Sequence, residues 1–114
     1  MPHEIAKSLT DALDACLAIR KFTEGRTFQT YLENELLRSA VERKFEILGE
    51  AFNRIQNSDP SFRERLPEAG DIIGMRNRVI HGYDSVDDEI VWVAVTKHIP
   101  FLTVKISELL ENNL

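Results

Sequence analysis

The stretch E89-I-V-W-V-A-V95 decides the fold. Taken alone it suits a buried strand, because it is short, β-branched and aromatic. Its continuation points the other way. Ile90, Val93, Ala94, Lys97, Phe101, Val104, Ile106 and Leu109 keep helical spacing well past the end of any ordinary strand. That continuity predicts one helix over about residues 86–111, with this set as its apolar stripe. Pro100 falls inside it and is expected to bend it, since proline removes one backbone donor and clashes one turn back.

No other segment alternates with period two, so the remainder is read as helix. Ile5, Leu9, Ala12, Leu13, Cys16 and Ile19 form a stripe that predicts a helix over about 3–23, ended by Gly25. A short turn or helix at TFQTYL follows, with Thr27 as its N-cap. Leu37, Ala40, Val41, Phe45, Leu48, Ala51, Phe52 and Ile55 predict a long helix from about Asn34, its cap, to Gln56. NSDPSFRERLPEAGD is the main break. Asp59 is expected to cap a short helix with Pro60 at its first position, and Pro67 and Gly70 to interrupt the chain again. A helix over about 71–81 follows, with Asp71 as cap. The expected fold is all-α, an up-and-down bundle of four to five helices in one domain, residues 1–114. Helices this long in so small a chain leave an apolar face over, and a homodimer is expected to cover it.

Composition narrows the function classes. Charged residues make up 29% and the formal net charge is -5, which argues against a broad non-specific nucleic-acid surface but leaves room for a small basic site. Arg63, Arg65, Arg76 and Arg78 lie within 16 positions and are 4 of the 14 basic residues, so an anionic partner is expected there. Apolar runs such as IVWVAV are too short to cross a bilayer, and MPHEIAKSLTDALD does not read as a secretory signal. A single Cys16 excludes an internal disulfide and fits a small core residue in a reducing compartment. A cytoplasmic protein with no membrane association is the expectation.

The residues that carry chemistry sit in IIGMRNRVIHGY, Ile72–Tyr83. At about 100° per residue, His81 lies about 140° around the helix from Arg76, so the two would not meet on a straight helix. Gly82 just past His81 changes this, because glycine accepts the positive φ of a helix end and lets the chain turn. His81 then caps the helix, where the dipole favours its protonated form, and Tyr83 lies beyond the turn. A fixed cation, a tunable acid/base and a phenol stand close in sequence. Cleavage of an RNA phosphodiester needs a base for the 2′-OH, an acid for the 5′-oxygen and a cation for the phosphorane. Arginine's planar fork suits the phosphate oxygens. No metal or other cofactor is implied: His3, His81 and His98 are scattered and there is no cysteine pair. One chain brings one histidine here, and a two-fold dimer would bring two His81 and two Arg76 to a shared cleft.

RNRVIHGY resembles the R-x4-H-x-Y motif of HepT-like toxins in the HEPN superfamily, with Arg76, His81 and Tyr83 at the motif positions. VERKFEILGEAFNRI is similar to that family's second long helix, and IIGMRNRVIHGYDSVDDEIVW to its motif helix and the acidic turn after it. The resemblance implies a small all-α dimer whose paired motifs line an interface cleft, acting as a metal-independent endoribonuclease with Arg76 and His81 as the catalytic pair. It implies the toxin of a type II toxin–antitoxin system. The implied partner is an MntA-type minimal nucleotidyltransferase antitoxin, which transfers AMP from ATP to Tyr83. Bulk and negative charge on Tyr83 would then stand where RNA phosphate binds.

Plainer readings stand beside these. Arg76 can be a surface ion-pair partner, His81 a structural cap, and Tyr83 an aromatic packed on the bundle end. Asn77 reads as a structural or orienting residue, and Arg78 as a phosphate contact or a solvated charge. Glu42, Glu46 and Glu50 form a four-residue ladder that reads first as a solvated face; Glu46 is alternatively a partner for an Arg across a dimer. Asp84, Asp87 and Asp88 read as turn and N-cap residues, Trp92 as core or interface, and His3 and His98 as ordinary helix residues. The rival function is a non-catalytic module that binds nucleotide or nucleic acid, or docks the partner, and plainer still is a purely structural helical dimer.

Overall fold

EIVWVAV is helical. The computed structural model describes residues 1–77 and 86–112, and these form an all-α bundle. The helices are α1 (His3–Thr23), α2 (Phe28–Glu33), α3 (Glu35–Ser58), α4 (Phe62–Arg65), α5 (Glu68–Met75) and α6 (Asp88–Asn112). The described residues thus hold six helices rather than four or five, because the two short segments, α2 and α4, are both helical.

Local chemistry explains most of the boundaries. Gly25 takes φ 72°, the left-handed backbone that ends the run of α1. Thr27 caps α2 in a reciprocal box: its hydroxyl accepts from the Thr30 amide, and the Thr30 hydroxyl accepts from the Thr27 amide. Asn34 caps α3 by accepting from the Leu37 amide. Asp87 caps α6, accepting from the amides of Glu89 and Ile90.

Two expectations in the break need correction. Asp59 does not cap a helix starting at Pro60. Its carboxylate accepts from the Ser61 amide and hydroxyl, closing a turn, and α4 starts only at Phe62. Gly70 and Asp71 do not mark a break and a cap either, since α5 begins at Glu68 after Pro67 and runs through both. Gly70 lies under the Arg63 guanidinium, which a Cβ there would push aside.

α1 and α3 pack antiparallel along most of their length. Arg54 of α3 donates to Ser8 and pairs with Asp11 of α1 at 3.5 Å, which fixes the direction. α6 runs antiparallel to α1, with Cys16 beside Thr103 and Arg20 near Val95. α5 turns back along α3. The core is filled by the expected stripes of α1 and α3, with Phe52 against Phe62 at 5.9 Å and Trp92 against Tyr31 at 5.1 Å. Cys16 is fully buried, and burial pushes its thiol up to about 12.

The inward face of α6 is only partly the expected one: Ala94 and Ile106 of the expected stripe are buried and Leu109 packs against the core, but the rest of the face is shifted. Val91, Ala94, Val95, Ile99, Leu102 and Ile106 are buried, while Ile90, Val93, Phe101 and Val104 are 46, 44, 43 and 55% exposed. A widened π turn occupies Ala94–His98 just ahead of Pro100. The Ile99 amide reaches back to the Ala94 carbonyl, and the looser winding accommodates the proline ring. α6 is also long and apolar enough, by length and composition, to cross a membrane, with a mean hydropathy of 1.3 over its most apolar window. Much of that apolar content faces the bundle core.

Candidate active site

α5 delivers Arg76. Ile72, Ile73 and Met75 anchor α5 in the core, and Arg76 follows in right-handed helical backbone, its amide bonded to the carbonyls of Ile72 and Ile73. The side chain lies against α3 with only 20% of its surface exposed. Its stem crosses Gly49, where a Cβ would come within 2.7 Å of Cδ. Nη2 stands 3.6 Å from Glu50 Oε1, and Nη1 donates to Asn77 Oδ1 at 3.3 Å. Nε is buried without a hydrogen-bond partner among the described residues. Among the described residues the guanidinium is held by charge and shape more than by hydrogen bonds, an arrangement suited to presenting its fork to an oxyanion.

The glutamate ladder is more than a solvated face. Glu50 pairs with Arg76, and Glu46 pairs with Arg43 of the same helix at 3.3 Å. Glu42 is half-buried, and burial first, then the nearby Asp88 carboxylate, push its carboxyl above the usual range. Burial first, then the Glu42 and Asp88 carboxylates, push the Tyr31 phenol up; Tyr31 Oη and Asp88 Oδ1 lack hydrogen-bond partners among the described residues. Sequence reading did not find this Tyr31–Glu42–Asp88 cluster. The three come from α2, α3 and α6 and share no spacing.

The three described arginines of the group, Arg63, Arg65 and Arg76, do not form an open basic patch. Arg63 donates to Gln56 at 3.0 Å, Arg65 pairs with Asp59, and Arg76 pairs with Glu50. Arg78, His81, Gly82, Tyr83 and Asp84 lie outside the described residues, so the expected meeting of Arg76 with His81 is not observed either way. Asn77 is exposed and touches Arg76. His98 lines a groove of about 520 Å³ between α5 and α6, with Ile72, Met75, Ile90 and Val93. His3 is exposed on α1. Among the described residues no three His, Cys, Asp or Glu side chains come together as a metal-ligand set.

The chain is similar over nearly its whole length to small archaeal and bacterial proteins. A Methanocaldococcus jannaschii protein provisionally named an RNase is 31% identical over 100 residues, covering 86% of this chain and 89% of its own. A Caldanaerobacter subterraneus protein, also provisionally named an RNase, is 31% identical over 105 residues, 90% of this chain and 91% of its own. A Thermococcus cleftensis protein provisionally named ribonuclease HepT is 33% identical over 101 residues, 89% of this chain and 91% of its own. No solved structure matches. The class is therefore a small all-α bundle whose relatives carry ribonuclease names. A profile of the ribonuclease HepT-like family matches residues 12–109, and the chain belongs to that family.

Proposed function

We propose that the chain, as a single domain, is a metal-independent endoribonuclease and the toxin of a type II toxin–antitoxin pair. The observation that carries this is Arg76: a guanidinium seated on α3, mostly buried along its stem, with Nε unpartnered among the described residues. Family membership supports the substrate class. In the reaction one His81 takes the 2′-OH proton as the oxygen attacks phosphorus. A second gives a proton to the departing 5′-oxygen, leaving a 2′,3′-cyclic phosphate and a free 5′-hydroxyl. Arg76 stabilises the dianionic phosphorane, with Asn77 and Arg78 in support.

Two histidines require two copies. The exposed stripe of Ile90, Val93, Phe101 and Val104, continuous with the apolar groove beside α5, supports a dimer that buries this side of the molecule and joins the two motifs. AMP transferred to Tyr83 by an MntA-type nucleotidyltransferase would place negative charge in the phosphate path and silence the enzyme. RNA as substrate and a buried, unpaired Cys16 support a cytoplasmic setting, with α6 as a bundle helix.

Purified protein mixed with RNA in EDTA tests the reading. Cleavage should persist, and should fall about 10²- to 10³-fold in Arg76→Ala and in His81→Ala. Binding that leaves the RNA intact would make the chain a non-catalytic module instead. Incubation with ATP and the nucleotidyltransferase should add AMP mass to wild type and none to Tyr83→Phe.

A further inference from the structure

Gly49 stands in the interior of α3, where glycine is the least favourable residue after proline. Its backbone does not need glycine, because among the described residues only Gly25 has positive φ. Space is the reason. A Cβ at Gly49 would lie 2.7 Å from Arg76 Cδ, 3.4 Å from Cβ and 3.6 Å from Cγ. The arginine stem fills a notch that only glycine leaves open. The next residue, Glu50, faces the guanidinium at 3.6 Å.

We propose that Gly49 and Glu50 are positioning residues for Arg76: the notch sets the depth of its stem and the carboxylate sets the orientation of its fork. This rests on the reading of Arg76 as the phosphate-stabilising cation. The separation matters. At 3.6 Å the pair is longer than a charge-assisted hydrogen bond, about 2.7–2.9 Å, so Glu50 steers the guanidinium without capping its donors. The contacts at Gly49 also say what a methyl would do. Only Cδ is overlapped, while Arg76 Cβ and Cγ are near ordinary contact distance. The flexible stem would swing aside and the two helices would stay where they are.

Two readouts test this, one of position and one of chemistry. The first is the Nε–H resonance of Arg76 in 15N-labelled protein, assigned by its loss in Arg76→Lys. In wild type it should be protected from exchange, as a buried Nε–H must be. In Gly49→Ala it should shift or exchange rapidly, while the melting temperature holds or rises. The second is RNA cleavage in EDTA. Gly49→Ala should lower kcat about 10²-fold with KM little changed, the effect of misplacing a catalytic group by about 1 Å. Added to Arg76→Ala, it should have no further effect.

Glu50→Gln is the independent second variant. It should move the same resonance and lower kcat, with Glu50→Asp restoring part of the loss. The proposal is overturned if Gly49→Ala keeps the wild-type resonance, or if it cleaves normally with the resonance displaced. A Glu50→Gln protein with lower KM and unchanged kcat would make Glu50 a repulsive neighbour and overturn its half. If wild type cleaves no RNA, the resonance still decides the seat, and the nuclease reading is what falls.

Discussion

At the residue scale the surroundings of a side chain matter more than its type. Arg76 and Arg65 are both ion-paired arginines, yet Arg65 pairs with Asp59 across a surface turn while Arg76 lies in a notch with Nε buried. Only the second is seated against a neighbouring helix, the feature on which the proposed catalytic role rests. Glu42 offers a prediction of opposite character. Its folded-state pKa is raised, by burial, then Asp88, with Glu46 adding and Arg38 opposing. At neutral pH the charged carboxylate therefore weakens the fold. As pH falls through the raised value, the folded state takes up the proton first and stability from this group increases. Glu42→Gln should raise the melting temperature at pH 7, and the gain should shrink as pH drops towards the ordinary carboxylate range. Thermal melts of both proteins across that window check the sign; a gain that grows on acidification would refute it.

At the scale of elements, caps set the starts of helices and packing sets their phase. Asn34 serves two helices, since its amide bonds to the Tyr31 carbonyl at the end of α2 and its side chain caps α3. Asn34→Ala should cost about 1 kcal/mol, seen as a melting temperature lower by about 4 °C. Asn34→Asp should retain most of the stability, because its carboxylate can accept the same Leu37 amide. Loss of equal size in both would mean that the cap is not the source. α6 shows how an element escapes its sequence pattern. It is apolar on nearly every side, and two stripes of helical spacing run along it. Val91, Ala94, Val95, Ile99, Leu102 and Ile106 follow the same rule as the stripe read from the sequence.

At the scale of the whole molecule, the stripe that lost the competition for the core is the feature left over. Val104 is 55% exposed, so its replacement by Glu should change monomer stability by only about 0.5 kcal/mol or less. If this face joins two copies, Val104→Glu should run as a monomer in light scattering, keep its helical circular dichroism, and lose RNA cleavage. A Val104→Glu protein that stays dimeric would move the interface elsewhere. α1 and α3 bury most of their stripes against each other and α6, and α6 carries the largest set of exposed large apolar side chains among the described residues.

The sequence by itself determined the helical class, the spans of α1 and α3, the caps at Thr27 and Asn34, and the position of Arg76 on a helix. These follow from periodicity and from hydrogen bonds between residues no more than four apart, which a linear chain displays directly. It misjudged the break after α3, where Asp59 closes a turn instead of capping a helix and Gly70 lies inside α5 beside the Arg63 side chain, a contact that spacing does not display. Only the tertiary structure decided which stripe of α6 faces inward, why Gly49 is a glycine, and that Glu50 faces Arg76. Each is a choice between alternatives of equal local quality, settled by neighbours dozens of residues away in the chain.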